Sequence, residues 1–100
     1  MAFKVIVLPT AIKDIQEIID FYDTIQQGLS EKFDNELNDY FLTLQKNPFF
    51  QTRYINVRCL PLKKFPVMIH FLIDEKLKTV YIRAVLNTAK NPDTSWINNT

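Results

Sequence analysis

The residues best suited to chemistry in this chain are a single histidine, a single cysteine and scattered arginines. His70 lies inside the stretch LPLKKFPVMIHFLID, residues 60–74, where two lysines and a Phe-Pro pair separate two apolar runs. An imidazole with an unperturbed pKa of about 6.5 can move protons near neutral pH. Arg58 and Arg83 could stabilise developing negative charge. Either these side chains form a working surface, or they are polar residues of a sheet that pair with acids such as Asp74 or Asp93.

The composition excludes several kinds of site. One cysteine, Cys59, cannot form an internal disulfide, and one histidine provides no His/Cys cluster for zinc. The only glycine is Gly28, so a glycine-rich phosphate-binding loop is excluded. We therefore expect no metal and no cofactor, and any catalysis would use the side chains of the protein alone.

Length and charge place the chain among small globular domains. Its 100 residues are 47% hydrophobic and 23% charged, which predicts one folded domain over residues 1–100. The segment MAFKVIVLPT is too short in its apolar part for a signal peptide or a membrane span, so we expect a cytoplasmic protein without a membrane partner. The net charge of +1 means that nucleic-acid binding would require a local basic patch.

The first half of the sequence predicts one strand and two helices. Residues 3–8 are rich in β-branched side chains and precede a proline, as in a short strand. A 3.6-residue apolar period then predicts a helix capped by Thr10 that ends near Gly28. A second such period predicts a helix capped by Ser30 that stops before Pro48.

The second half predicts three strands, over residues 54–62, 65–73 and 78–86. The breaks between them are short and polar, which is typical of an antiparallel meander. The element order is then β-α-α-β-β-β. We predict an α+β fold with a helical hairpin packed on one face of a mainly antiparallel sheet.

Alternation along the last two strands predicts which side chains face the helices. The predicted core positions are Val67, Ile69, Phe71, Ile73, Val80, Ile82, Ala84 and Leu86. The opposite face, which we call the outward face, is predicted to carry Arg58, Met68, His70, Leu72, Tyr81, Arg83, Val85 and Asn87. A face that mixes basic, aromatic and apolar groups is a candidate binding surface.

The ordered set of segments resembles the RelE/ParE superfamily of bacterial type II toxins. The resemblance rests on VRCLPLKKFPVMIHFLID, a turn, and VYIRAVLNTAKNPDTSW, with AIKDIQEIIDFY and the Lys32-Phe33 pair upstream. It implies the fold predicted above and a toxin that a cognate antitoxin neutralises. It also implies growth inhibition, plasmid stabilization, and either a homodimer or a toxin-antitoxin hetero-oligomer.

The same resemblance leaves two targets, because RelE-like toxins cleave mRNA on the ribosome whereas ParE-like toxins inhibit DNA gyrase. Arg58 matches the first basic position of the nuclease branch. Leu60 stands in place of its lysine and Val67 in place of its arginine. The Phe65-Pro66 pair favours the ParE-like branch.

Further departures lie near the C-terminus. Lys90 stands near an expected arginine, Asn87 replaces a frequent histidine, and no tyrosine follows Tyr81. The full ribonuclease set is therefore absent. Trp96 either covers the sheet edge or stacks on a base.

These observations lead to one leading function and two alternatives. We predict a ParE-like toxin that acts on DNA gyrase; the alternatives are a RelE-like ribosome-dependent mRNA endoribonuclease and a degenerate nontoxic binding module. The predicted target-contact residues are Arg58, His70, Tyr81, Arg83, Asn87, Lys90 and Trp96. The nuclease alternative would use four of these, namely Arg58, His70, Arg83 and Lys90. For the antitoxin, exposed parts of residues 12–22 and the sheet edges remain open as binding sites.

Overall fold

The computed structural model describes residues 2–49, 52–54 and 56–88, and it confirms the predicted α+β order with one additional short strand. The elements are β1 Lys4–Val7, α1 Pro9–Ile25, α2 Leu29–Lys46, β2 Thr52–Tyr54, β3 Val57–Pro61, β4 Val67–Asp74 and β5 Thr79–Asn87. The strands form one sheet in the order β1-β5-β4-β3-β2. β1 pairs with β5 in parallel, and the other neighbouring strands are antiparallel.

The start of α1 differs from the prediction. The helix begins at Pro9, where the missing N–H of proline has no intrahelical partner to lose. Leu8 precedes it in an extended conformation, as is usual before proline. The predicted Thr10 cap is wrong, because the Thr10 hydroxyl donates instead to the carbonyl of Arg83 at 2.9 Å.

The turn between the helices depends on the only glycine. Gly28 precedes α2 with φ of 84°, a left-handed conformation that side chains with a Cβ rarely adopt. The predicted Ser30 cap is wrong, because α2 already begins at Leu29 and the Ser30 hydroxyl donates to the Asp23 carboxylate. That bond joins the two helices across the turn.

One hydrophobic core lies between the helical hairpin and the sheet. Its buried residues are Phe3, Ala11, Ile18, Tyr22, Phe33, Leu37, Leu44, Leu60, Leu62, Val67, Ile69, Phe71, Val80, Ile82 and Val85. The predicted core positions of β4 are confirmed, with Val67, Ile69 and Phe71 buried and Ile73 packed against them. Within the described residues, neither helix has the length and hydropathy needed to cross a membrane.

The Phe-Pro pair of the turn between β3 and β4 has a packing role. The Phe65 ring lies 5.3 Å from the Tyr22 ring of α1 and 5.5 Å from the Phe33 ring of α2, between centroids. Tyr22 and Phe33 are themselves 5.6 Å apart. Such aromatic pairs add to the stabilisation from burial. Phe65 therefore ties the turn to both helices at once.

The two lysines before Phe65 contribute their backbone to the same attachment. The N–H groups of Lys63 and Lys64 both donate to one oxygen of Glu36 on α2, at 3.2 and 3.1 Å. The Lys63 N–H is also 3.1 Å from the Tyr40 hydroxyl. A carboxylate that accepts backbone N–H groups forms stronger bonds than a neutral acceptor. Glu36 thus fixes the turn on α2.

Replacing Glu36 with alanine should destabilise the protein by about 2 kcal/mol, because two charge-assisted hydrogen bonds are lost. Denaturant unfolding followed by circular dichroism measures this. The matched control is Glu17→Ala on the exposed face of α1, which should change the free energy of unfolding by less than about 0.5 kcal/mol. Equal effects of the two substitutions would contradict the anchoring role of Glu36.

Candidate functional site

A β-bulge in β5 determines the geometry of the outward face. Ala84 pairs with His70 and Ile82 pairs with Phe71, so Arg83 is an extra residue that the neighbouring strand does not match. The extra residue reverses the alternation beyond it. Val85, which was predicted to face outward, is 1% exposed and lies in the core.

The predicted core positions Ala84 and Leu86 are correspondingly wrong. Ala84 lies opposite His70, on the outward face, and Leu86 lies opposite Met68. Facing residues of an antiparallel pair share one side of the sheet. The outward face is therefore more apolar next to Arg83 than the alternation predicted.

The bulge occurs where β1 ends and α1 begins. The pairing of β1 with β5 stops at Val7 and Ile82, and the Leu8 N–H donates to the Ile82 carbonyl at 3.0 Å. Beyond that point, side chains of α1 replace the missing strand. Thr10 donates to the Arg83 carbonyl, and Asp14 accepts the Val85 N–H at 3.2 Å. Backbone groups at this edge of β5 thus find partners on the helix.

His70 lies on the outward face as predicted, but it is buried, with 1% of its surface exposed. Its Nδ1 is 3.1 Å from the sulfur of Cys59, the residue that faces it on β3. His70 also borders a cavity of about 300 Å³ together with Arg83, Asp14 and Thr10. Arg83 itself is exposed. The histidine and the arginine therefore meet at one cavity, with an acid beside them.

The predicted placement of Arg58 on the outward face is wrong. Arg58 pairs with Phe71 and Leu60 pairs with Ile69, so both lie on the side of the sheet that faces the helices. The Arg58 guanidinium lies over the Phe49 ring, 5.7 Å from its centroid. The outward positions of β3 are instead those next to Arg58, including Cys59. The spacing of apolar residues in β3 fits either phase, so the sequence alone could not decide.

The predicted target-contact residues are spread over several depressions. Arg58 and Tyr81 both border an open notch of about 550 Å³ at the end of the sheet where β4 and β5 are joined. Asn87 pairs with Val67, so its predicted position on the outward face is wrong, and it borders a groove of about 330 Å³ between α1 and β5. Lys90 and Trp96 lie outside the described residues. Among the described members of the predicted set, His70 and Arg83 alone share the cavity at the bulge.

Asp14 is a member of this site that the sequence did not single out. Burial raises the pKa of its carboxyl above the usual value of 3.8, an effect opposed by the hydrogen bond from Val85. The charge of Glu17 raises the pKa further and that of Lys13 lowers it. Asp14 stands among other polar residues of an amphipathic helix, and nothing in that pattern marks it.

Possible metal ligands among the described side chains are those of His, Cys, Asp and Glu. Within residues 2–49 and 56–88, no three His, Cys, Asp or Glu side chains lie close enough together to hold a metal ion. The chemistry available at the bulge is that of an imidazole, a thiol, a guanidinium and a carboxylate.

Comparison with known proteins finds similarity in structure but not in sequence. No protein-family profile and no curated protein sequence matches the chain. A chain of the chromosomal ParDE toxin-antitoxin system from P. aeruginosa superposes with a TM-score of 0.70 at 20% identity, over 86% of this chain and 96% of that one.

Two further toxin structures share the architecture. A mutant of the E. coli toxin RelE in the free state gives a TM-score of 0.63 at 11% identity, over 99% of this chain and 97% of the other. The RelBE2 toxin-antitoxin complex from Mycobacterium tuberculosis gives 0.58 at 14% identity, over 87% and 99%. The chain therefore has the fold of the RelE and ParE toxins, as the sequence resemblance predicted.

The partly buried carboxyl of Asp14 predicts a pH-dependent stability. Because its pKa is raised in the folded state, the stability linked to its proton is present below pH 3.8 and is lost as the pH rises through the folded-state pKa. Asp14→Asn removes this dependence but keeps an oxygen that can accept the Val85 N–H. The free energy of unfolding of the wild type, measured relative to Asp14→Asn, should therefore increase as the pH falls from 7 to 3.

Asp14→Ala is the companion variant, because it removes the acceptor altogether. It should destabilise the protein by about 1 to 3 kcal/mol at pH 7, the cost of leaving a partly buried N–H without a partner. Urea unfolding over a pH series tests both variants. A difference between wild type and Asp14→Asn that stays constant with pH, or grows as the pH rises, would contradict the assignment.

Proposed function

We propose that this chain is the toxin of a type II toxin-antitoxin module, ParE-like in action, with DNA gyrase as its target. The fold shared with three toxin structures supports the general class. One observation carries the choice of target. Among the described members of the predicted target-contact set, Arg83 alone is exposed, whereas His70 is buried against Cys59 and Arg58 faces the helices.

This arrangement favours recognition of a protein over cleavage of RNA. Cleavage of a phosphodiester needs a proton carrier within hydrogen-bond reach of the substrate and cations around the phosphate. His70 is 1% exposed, and Arg58 lies on the helix side of the sheet, away from the cavity that His70 borders, so the two are not placed to act on one phosphodiester. Exposed arginines are enriched among the energetic hot spots of protein interfaces, and Arg83 has the apolar residues Val57, Ala84 and Leu86 beside it as well as Asp14.

The test is inhibition of DNA supercoiling by purified gyrase. Wild-type protein should inhibit supercoiling or stabilise the gyrase-DNA cleavage complex, and Arg83→Ala should weaken this at least about tenfold, the usual cost of losing a hot-spot arginine. The matched control is Lys32→Ala, an exposed cation on α2, which should leave inhibition unchanged. Absence of any effect of the wild type on gyrase would overturn the proposed target.

A ribosome-dependent ribonuclease is the second candidate, because His70 and Arg83 border the same cavity. Addition of the protein to a translation extract, followed by primer extension on the message, tests it. Cleavage that Arg83→Ala abolishes would replace the gyrase proposal with this one. If expression of the chain alone causes no growth arrest, the third alternative, a nontoxic binding module, is supported instead.

We propose that the antitoxin binds in the groove between α1 and β5. Ile18, Phe21 and Leu86 supply apolar walls, and Glu17 supplies an acidic rim next to Asp14. An apolar segment with basic residues fits that surface by its charge.

Reversing the charge of Glu17 tests this binding site. Glu17→Lys should weaken antitoxin binding about tenfold, because an exposed favourable charge becomes repulsive. Isothermal titration with the protein encoded by the adjacent open reading frame measures the affinity. Glu75→Lys, in the turn between β4 and β5, is the control and should bind normally. An equal loss for both variants would place the antitoxin elsewhere.

A further inference from the structure

At the end of the sheet where α2 stops, two aromatic rings lie between two cations. The Arg58 guanidinium lies 5.7 Å from the centroid of the Phe49 ring, and the Lys78 ammonium lies 5.4 Å from that of Phe3. The two rings meet edge to face at 5.7 Å. We call these four residues the cation-aromatic row. Phe49 remains 51% exposed, although it is a large apolar side chain.

The fold holds this row in place from three elements. The Phe49 N–H donates to the Asn47 side chain at 3.2 Å, just beyond the end of α2. The Phe3 N–H donates to the Gln45 carbonyl at 2.7 Å, which joins the start of β1 to α2. The Lys78 carbonyl accepts the Lys4 N–H at 2.8 Å. Backbone hydrogen bonds therefore fix the segments that carry Phe49, Phe3 and Lys78.

Lys78 occupies a conformation that lysine does not favour. Its φ is 51°, and it is the only non-glycine residue with positive φ in the described part of the chain. Glycine or asparagine would adopt this conformation at lower cost. Strained backbone that persists at an exposed position is a reason to look for function. Here the residue with the unfavourable φ, Lys78, also places its ammonium group over the Phe3 ring.

The surroundings of the row are basic. The row contains Arg58 and Lys78, and the exposed lysines nearest to its members along the chain are Lys4, Lys46 and Lys76. The acids described at this end are Asp74, whose carboxylate accepts the Leu77 N–H at 3.0 Å, and Glu75. The four lysines outnumber these two acids, which border the same notch as Arg58, even though the whole chain is nearly neutral.

We propose that the cation-aromatic row binds single-stranded nucleic acid. An exposed ring on which a base can stack, with cations beside it for the phosphates, is the combination that proteins use for single strands without sequence preference. A duplex offers no unstacked base to Phe49. An acidic protein would be attracted by the cations alone, and its binding would not require the Phe49 ring. This inference does not depend on the proposed gyrase target, because the row lies on the helix side of the sheet and Arg83 does not belong to it.

The experiment is fluorescence anisotropy of a labelled oligothymidylate titrated with the full chain. Wild type should bind at low salt and weaken as salt is added, since phosphate contacts release counterions. Phe49→Leu keeps an apolar cover over Phe3 but removes the stacking surface, so affinity should fall about tenfold. Phe49→Trp should restore it. Lys78→Gly should lower the affinity while the protein stays as stable as wild type or becomes more stable.

Matched controls separate binding from folding. Leu42→Ala removes an exposed apolar side chain within α2. Lys32→Ala removes a cation that lies about 20 Å from the end of α2 along the helix axis. Both should bind as wild type does. The proposal is overturned if wild type does not bind at low salt, or if Phe49→Leu binds unchanged. It is also overturned if a DNA duplex or polyglutamate competes as well as the unlabelled single strand.

Discussion

The architecture of this protein depends on how α1 completes the free edge of β5. β1 has four residues and β5 has nine, so β5 extends beyond its parallel neighbour. A strand edge with unpaired polar groups must be covered or bonded. Thr10 and Asp14 supply the bonds, one to the Arg83 carbonyl and one to the Val85 N–H. These bonds fix the position of α1 relative to the sheet and hold the bulge at Arg83. The bulge then places Val85 in the core.

The polar segment that separates the apolar runs of β3 and β4 is used for packing. The Lys63-Lys64 pair donates its backbone to Glu36, and Phe65 packs between Tyr22 and Phe33. Together these contacts hold the turn between β3 and β4 on the helical hairpin. In this protein the basic dipeptide beside the Phe-Pro pair therefore marks a turn that is packed against the helical hairpin.

The sequence predicted the order of elements and the core face of β4, because both follow from apolar periods that the packing preserves. It failed at β5, where one extra residue changes the phase and leaves no trace in composition. It also failed at β3, where buried Val57 and Leu60 are three residues apart and fit no single face. The Thr10 prediction failed for a third reason: a hydroxyl suited to a local cap has a distant partner instead. Each failure is a tertiary contact that prevails over a local preference.

A fold shared among toxins does not by itself select a target, so exposed side chains must decide. Here two of the four residues that the nuclease alternative would use have partners within the molecule: His70 contacts Cys59, and Arg58 lies over Phe49. Because Arg58 lies on the helix side, its guanidinium reaches the Phe49 ring and forms part of the cation-aromatic row. The phase of β3 therefore accounts for the contact of Cys59 with His70 and for the position of Arg58 on the helix side, whereas the position of Arg83 follows from the bulge in β5.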